Sequence, residues 1–216
     1  IRIFSKFLYD YGYTRNGSFT IDTLGGVVKS DLEISDGKVS LITVDMGKAS
    51  FHSDDIPVVG KKREVVKEEI RVNGDILEFT AVTVGNPHCV IFFEQLDENI
   101  LRKLGPMLEN HELFPNRTNV QFARVVSPTE VQALIWERGA GYTLASGSSS
   151  CAVASACVKN NLTDRKLSVI MPGGILSIEV NNDWTLRMKG PSEQVFEGDF
   201  SPELLERIKS SNYPQI

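Results

Sequence analysis

The stretch Trp136-Glu137-Arg138-Gly139-Ala140-Gly141-Tyr142-Thr143-Leu144-Ala145-Ser146-Gly147-Ser148-Ser149-Ser150-Cys151 is where the chain is best equipped for chemistry. Small residues from 145 to 150 let a ligand approach the main chain. A helix starting there offers first-turn N–H groups that have no partner within the helix and suit a carboxylate. An anion-binding turn is expected, with the Glu137-Arg138 pair beside it. The competing reading is that the serines only cap the helix, the commonest use of serine in such a place. Two further polar turns interrupt apolar runs. In Gly85-Asn86-Pro87-His88-Cys89, Asn86 and His88 can project from a strand end into a cleft, and in Pro115-Asn116-Arg117-Thr118-Asn119-Val120, Asn119 directly precedes an apolar strand.

The elements that must position these groups follow from periodicity and turn chemistry. Residues 1–12 carry apolar side chains at 1, 4, 7, 8 and 11 with no capping residue before them, which predicts an amphipathic helix ended by Gly12. Short β-prone runs at 18–24, 27–34 and 38–44, punctuated by Gly25-Gly26 and Asp36-Gly37, predict a meander. Runs at 64–72 and 76–84 flank Asn73-Gly74, a hairpin signal, and 89–93 is a further buried strand. An amphipathic helix is expected over 96–109, bent or broken at Gly105-Pro106. Strands follow at 119–126 and 131–137, then an alanine-rich helix over 148–160. The last strands are expected at 167–170, 175–180 and 185–189, and Ser201-Pro202-Glu203 opens a closing helix through 209.

A length of 216 residues with 41% hydrophobic content supports a packed core. The net charge of −5, with lysines and arginines scattered, leaves no electrostatic footprint for nucleic acid or an anionic membrane. Cys89, Cys151 and Cys157 are an odd count without a CxxC pair, which argues against a disulfide framework and a zinc site and predicts a cytoplasmic location. No apolar run approaches the ~20 residues that span a bilayer.

Set against itself with a shift of 148 positions, the chain pairs Gly25-Gly26 with Gly173-Gly174 and Val27-Val28 with Ile175-Leu176. Both copies read helix, polar turn, strand, double glycine, strand. Two related halves are expected, chance recurrence being the competing account. The same shift pairs Ile1 with Ser149, so the counterpart of loop 145–148 would lie just before residue 1, and the opening helix reads as one that has lost its first turn.

Taken in order, GNPHCV, PNRTNV, WERGAGYTLASGSSSCA, MPGG and KGPSEQVFEG resemble the diaminopimelate epimerase family over essentially the whole chain. Val44-Asp45-Met46-Gly47 before Phe51 does so as well, and residues 1–12 resemble the helix that follows the family's first catalytic cysteine. The resemblance implies an α+β fold of two pseudo-symmetric domains, each a mixed β-sheet wrapped around a central helix, with the active site in the cleft between them. Residues 1–45 plus 195–216 would form the remainder of the N-terminal domain and 46–194 the C-terminal one. It implies a small amino-acid substrate and two-base proton transfer at Cα, in lysine and cell-wall biosynthesis, without pyridoxal phosphate, other cofactor or metal. A homodimer stays open as the assembly. Asn86 and Asn119 would bind the distal part of the substrate, Arg138 would pair with a carboxylate there, and Glu137 would sit nearer the reacting carbon. His88 would support a catalytic residue, and Gly147 and Ser148 would offer amides to the α-carboxylate.

Two departures stand out: the family's second catalytic cysteine falls at Ser146, and the glutamate that often follows Gly-Ala-Gly is Tyr142. A free thiol has a pKa of ~8.5 and can be drawn lower at a helix N-terminus, whereas a serine hydroxyl is a far weaker acid. Cys151 lies inside the helix, where a buried structural role is expected. Three readings stay open: an epimerase in which Ser146 is either an engineered replacement of a cysteine or a natural variant assisted by a neighbour; a paralogue acting as racemase, isomerase or dehydratase on another amino acid; and a catalytically dead binding protein.

Overall fold

The computed structural model describes residues 1–210; the last six residues of the expected 195–216 segment lie outside them. The elements run α1 (Arg2–Asp10), β1 (Ser18–Thr23), β2 (Gly26–Ser35), β3 (Lys38–Lys48), β4 (Glu68–Val72), β5 (Asp75–Thr83) and β6 (Pro87–Phe92), then α2 (Glu98–Glu109). There follow β7 (Asn119–Ser127), β8 (Glu130–Glu137), β9 (Gly141–Thr143), α3 (Gly147–Lys159), β10 (Lys166–Met171), β11 (Gly174–Val180), β12 (Thr185–Gly190) and α4 (Pro202–Ser210). The strands join in one sheet of order β1-β2-β3-β12-β11-β10-β8-β7-β6-β5-β4, with β9 on β8. Two pairs are parallel, β6–β7 and β8–β10. Each needs a long crossover, and α2 and α3 supply it.

The curved sheet has two differently occupied faces. One wraps α3, whose residues Cys151 to Val158 are all buried, among them Ala152, Val153, Ala154, Ala156 and Cys157. A helix that is apolar all round must be covered all round, and its small side chains let Ile42, Val44, Val82, Val90, Ala133, Ile135, Val169 and Ile178 come in from the surrounding strands. The other face carries the one-sided helix α2, whose Leu101, Leu104 and Leu108 pack on Ile70, Phe79, Ile91 and Phe122. The fold is thus α+β with a mixed sheet wrapped around a central helix.

The repeat is visible in the hydrogen-bond register. Thr23 faces Gly26 at the β1–β2 turn, and Met171 faces Gly174 at the β10–β11 turn, the same pairing 148 residues later. Both second glycines have positive φ, +110° at Gly26 and +138° at Gly174, a conformation closed to other residues at little cost. In each copy a helix precedes the hairpin and a third strand follows, α1-β1-β2-β3 and α3-β10-β11-β12, and the third strands β3 and β12 pair antiparallel where the copies meet. The expected 45/46 division falls within β3, which runs on to Lys48.

Three local expectations are corrected. The strand expected to start at 64 begins at Glu68, because Lys67 takes a left-handed φ of +53° and leaves only a bridge between His52 and Glu64. The helix, expected to bend or break at Gly105-Pro106, does not break there but runs through both residues to Glu109. The Trp136 indole lies flat against Gly105, where a Cβ would come within 2.7 Å of the ring, so this close packing holds the last turn together. The glycine-rich turn after β8 contains the short strand β9, with Trp136 opposite Tyr142 and Glu137 opposite Gly141.

Candidate functional site at the start of the central helix

Strand parity gathers the polar groups. Successive side chains alternate faces. In β8 the α3-facing residues are Val131, Ala133 and Ile135, which puts Glu137 on that face; in β7 it is Ala123, which puts Gln121 and Asn119 there. In β6 it is Val90, and with it His88. Parallel register sets His88 beside Asn119. All these side chains lie at or near the ends of β6, β7 and β8, on the side of the first turn of α3.

The contacts are continuous. His88, fully buried, meets Asn86 Oδ1 through Nε2 at 3.0 Å, while Gln121 Nε2 stands 3.1 Å from its Nδ1. Gln121 also reaches Ser149 Oγ at 3.0 Å, and the Ser149 hydroxyl donates to Glu137 Oε1 at 3.0 Å. The Asn119 amide donates to Pro87 O at 2.8 Å and accepts the Arg138 N–H at 2.9 Å, so this buried side chain ties β6 to the turn after β8. The Arg138 guanidinium donates to Asn116 O at 2.9 Å. Burial lowers the His88 pKa to about 3, opposed by the Gln121 hydrogen bond and reinforced by the positive Arg138, so the imidazole is neutral.

Ser146 is the N-cap of α3. Its backbone is extended, with φ −151° and ψ 134°, and its Oγ accepts the Ser149 N–H at 3.3 Å while standing 3.4 Å from Ser148 Oγ. With the Ser149 amide so engaged, the first-turn amides of Gly147 and Ser148 are the ones directed out of the helix. Gly147 lies against Met188, whose Sδ would be 3.0 Å from a Cβ added there. A cleft of about 710 Å³ opens at this point, lined among others by Gly147, Met188, Gly85, Val28, Val44 and Met46. A smaller one of about 170 Å³ reaches Ser146 and Gly147 from the side of Arg2 and Gly173.

The residues singled out from sequence, Asn86, His88, Asn119, Glu137, Arg138, Ser146, Gly147 and Ser148, therefore fall in one neighbourhood, linked directly or through Gln121 and Ser149. Tyr142 does not join them. It shares the Trp136 face and lies under the Arg102 guanidinium, 4.2 Å from ring centre to carbon, on the α2 side of the sheet. Its departure from the family's glutamate thus leaves this neighbourhood untouched. The cysteines are buried, and burial pushes the Cys151 thiol up to about 12.

Three residues escaped the sequence reading. Gln121 interrupts the apolar run of β7, a buried polar residue whose mismatch with its neighbours was the available signal. Ser149 stood undistinguished among four serines. Glu109, only 5% exposed, accepts Trp136 Nε1–H at 2.8 Å, Gly139 N–H at 2.9 Å and an Arg117 N–H at 3.0 Å. It fixes the turn that carries Arg138, and nothing in its helical pattern marked it.

Comparison with known proteins accords with this architecture. Residues 80–195 match the family model described as diaminopimelate epimerase. Over 204 residues the chain is 46% identical to diaminopimelate epimerase 2 of Nostoc sp., covering 94% of this chain and 70% of that protein. It is 42% identical over 200 residues to the diaminopimelate epimerase of Methanococcus maripaludis, covering 92% and 72%. Among solved structures, a hydroxyproline epimerase from Agrobacterium vitis with bound trans-4-OH-L-proline superposes with a TM-score of 0.64 at 12% identity, over 87% of this chain and 61% of that one. A predicted epimerase from Pseudomonas aeruginosa does so with a TM-score of 0.56 at 15% identity, over 91% and 73%; these two likenesses concern the fold. Identity at this level over nine-tenths of the residues, together with the family model's match, makes the chain a member of the diaminopimelate epimerase family.

Proposed function

We propose that the chain serves a cofactor-independent epimerase that exchanges the Cα proton of diaminopimelate, converting the LL to the meso form. The observation that carries this reading is the hydrogen-bonded chain from Asn86 through His88, Gln121 and Ser149 to Glu137, which includes the first turn of α3, with the bonded pair Asn119 and Arg138 beside it. Inversion requires acid–base groups on both faces of the α-carbon. Ser146 stands at one such position. The amides of Gly147 and Ser148 grip the α-carboxylate, which also draws off negative charge as the α-proton leaves. Glu137 sits near the reacting carbon, linked to His88 through Ser149 and Gln121. Arg138 holds the distal carboxylate, and Asn86 and Asn119 shape that end of the site.

A second reading is favoured by one observation, the hydroxyl at Ser146. A serine hydroxyl transfers a proton far less readily than a thiol, so a reaction in which one face of the substrate exchanges no proton suits this chain: an elimination or one-sided isomerisation of a related amino acid. Incubation of the protein with LL-diaminopimelate in D2O, followed by proton NMR, separates the two. Deuterium at Cα with appearance of the meso isomer supports the first reading. Exchange or elimination only with another amino acid supports the second, and binding without exchange rejects both in favour of a binding protein.

A further inference from the structure

We propose that Gln121 and Ser149 are positioning residues, a bridge that locks the His88 ring in its Nε2–H tautomer and aims a hydroxyl donor at the Glu137 carboxylate. The inference rests on the reading of His88 and Glu137 as residues of the substrate cleft. Gln121 comes from β7 and Ser149 from the first turn of α3, and both are fully buried.

The Gln121 amide nitrogen carries two hydrogens and meets two acceptors, His88 Nδ1 at 3.1 Å and Ser149 Oγ at 3.0 Å. A hydroxyl has one hydrogen; with its oxygen accepting from Gln121, Ser149 turns that hydrogen to Glu137 Oε1 at 3.0 Å. A ring nitrogen that accepts carries no proton, so Nδ1 is bare and the hydrogen sits on Nε2, where Asn86 Oδ1 waits at 3.0 Å. One amide orientation therefore fixes the polarity of every bond from Asn86 to Glu137. In this orientation Gln121 Oε1 has no partner among the described residues. Turning the amide over would instead strand two buried N–H groups, the worse outcome, and would withdraw the donor from the bare Nδ1.

The consequences are specific. His88 has no lone pair open to a substrate proton, so its part is to hold Asn86 in place, and the Ser149 hydroxyl fixes the orientation of the Glu137 side chain. Proton transfer at Cα then falls to groups other than His88.

The test is long-range 1H–15N NMR of the histidine rings in the uniformly labelled chain, the His88 signals being identified by their loss in His88→Gln. The expected spectrum has an unprotonated Nδ1 and a protonated Nε2, unchanged between about pH 5 and 8. Gln121→Met, which keeps length and loses the amide, is expected to give a mixture of tautomers. Ser149→Ala keeps the tautomer and lowers kcat for Cα deuterium exchange about tenfold with KM unchanged, the low end of what a hydrogen bond to a charged group contributes; Ser149→Thr restores it. A wild-type spectrum with the proton on Nδ1 overturns the bridge whether or not the chain shows activity. An Ala variant of Ser149 that exchanges at the wild-type rate, or a Thr variant as slow as Ala, overturns the role of Ser149. Absence of exchange in the wild type counts against the proposed function alone, because the tautomer still decides the bridge.

Discussion

Ser146 caps α3 and, in the proposed function, also faces the α-carbon, and two substitutions pull these roles apart. Its extended backbone suits alanine and glycine equally, so neither replacement introduces strain. Alanine removes the acceptor of the Ser149 N–H, a loss of ~1 kcal/mol for an average cap, and less here because the bond is long at 3.3 Å. For a chain of this size ~1 kcal/mol lowers the melting temperature by about 2–4 °C. Glycine at an N-cap lets water reach the exposed amide and costs only a few tenths of a kcal/mol. Ser146→Ala is thus expected to melt about 2 °C lower and Ser146→Gly within about 1 °C of wild type, while both lose Cα exchange to the same degree, since both lack the hydroxyl. Ser146→Cys, which places a thiol at a helix N-terminus that lowers its pKa, is expected to raise exchange above wild type if the reaction is epimerisation. Thermal melts by circular dichroism and deuterium exchange followed by NMR supply the two readouts. Exchange that survives in both Ala and Gly variants would refute the placement of Ser146 at the reacting carbon, and equal melting temperatures for all three proteins would refute its capping role.

Three further outcomes follow from the same geometry. Because all three thiols are buried and that of Cys151 is pushed up to about 12, none is expected to react with Ellman's reagent in the native protein, and all three in denaturant; a rapid native reaction would bring a cysteine back into consideration as a catalytic group. Glu109→Gln replaces an acceptor of three N–H groups by a side chain that must turn a donor toward one of them, so a loss of about 2 kcal/mol in urea unfolding is expected, with weaker substrate binding through the Arg138 turn. His88 binds no proton in the fold above about pH 3 but does so in the unfolded chain below its ordinary value of 6.5. Stability therefore falls as pH drops through that window, by on the order of 1 kcal/mol per pH unit, and His88→Gln should flatten this slope in urea titrations at successive pH values.

Much of this was legible in the sequence because the signals were local. Double glycines, Asn73-Gly74 and the alanine-rich run after Ser146 dictate turns, a hairpin and a helix buried on all sides, and the 148-residue shift reappears as matched hairpin register. What escaped was long-range. The left-handed Lys67 is held by the Thr80 hydroxyl, and α2 passes its proline with Trp136 lodged against Gly105. In the site, the motif residues were readable because they sit at turn and helix boundaries. Gln121, Ser149 and Glu109 were not, since their importance lies in partners 27 to 33 positions away.

A crystal structure with an amino-acid ligand tests the central claim most directly. The account expects its α-carboxylate within hydrogen-bonding distance of the Gly147 and Ser148 amides, with the α-carbon beside Ser146 Oγ and the far end toward Arg138. A ligand bound elsewhere, or one seated in this cleft with its carboxylate turned away from the start of α3, would contradict it.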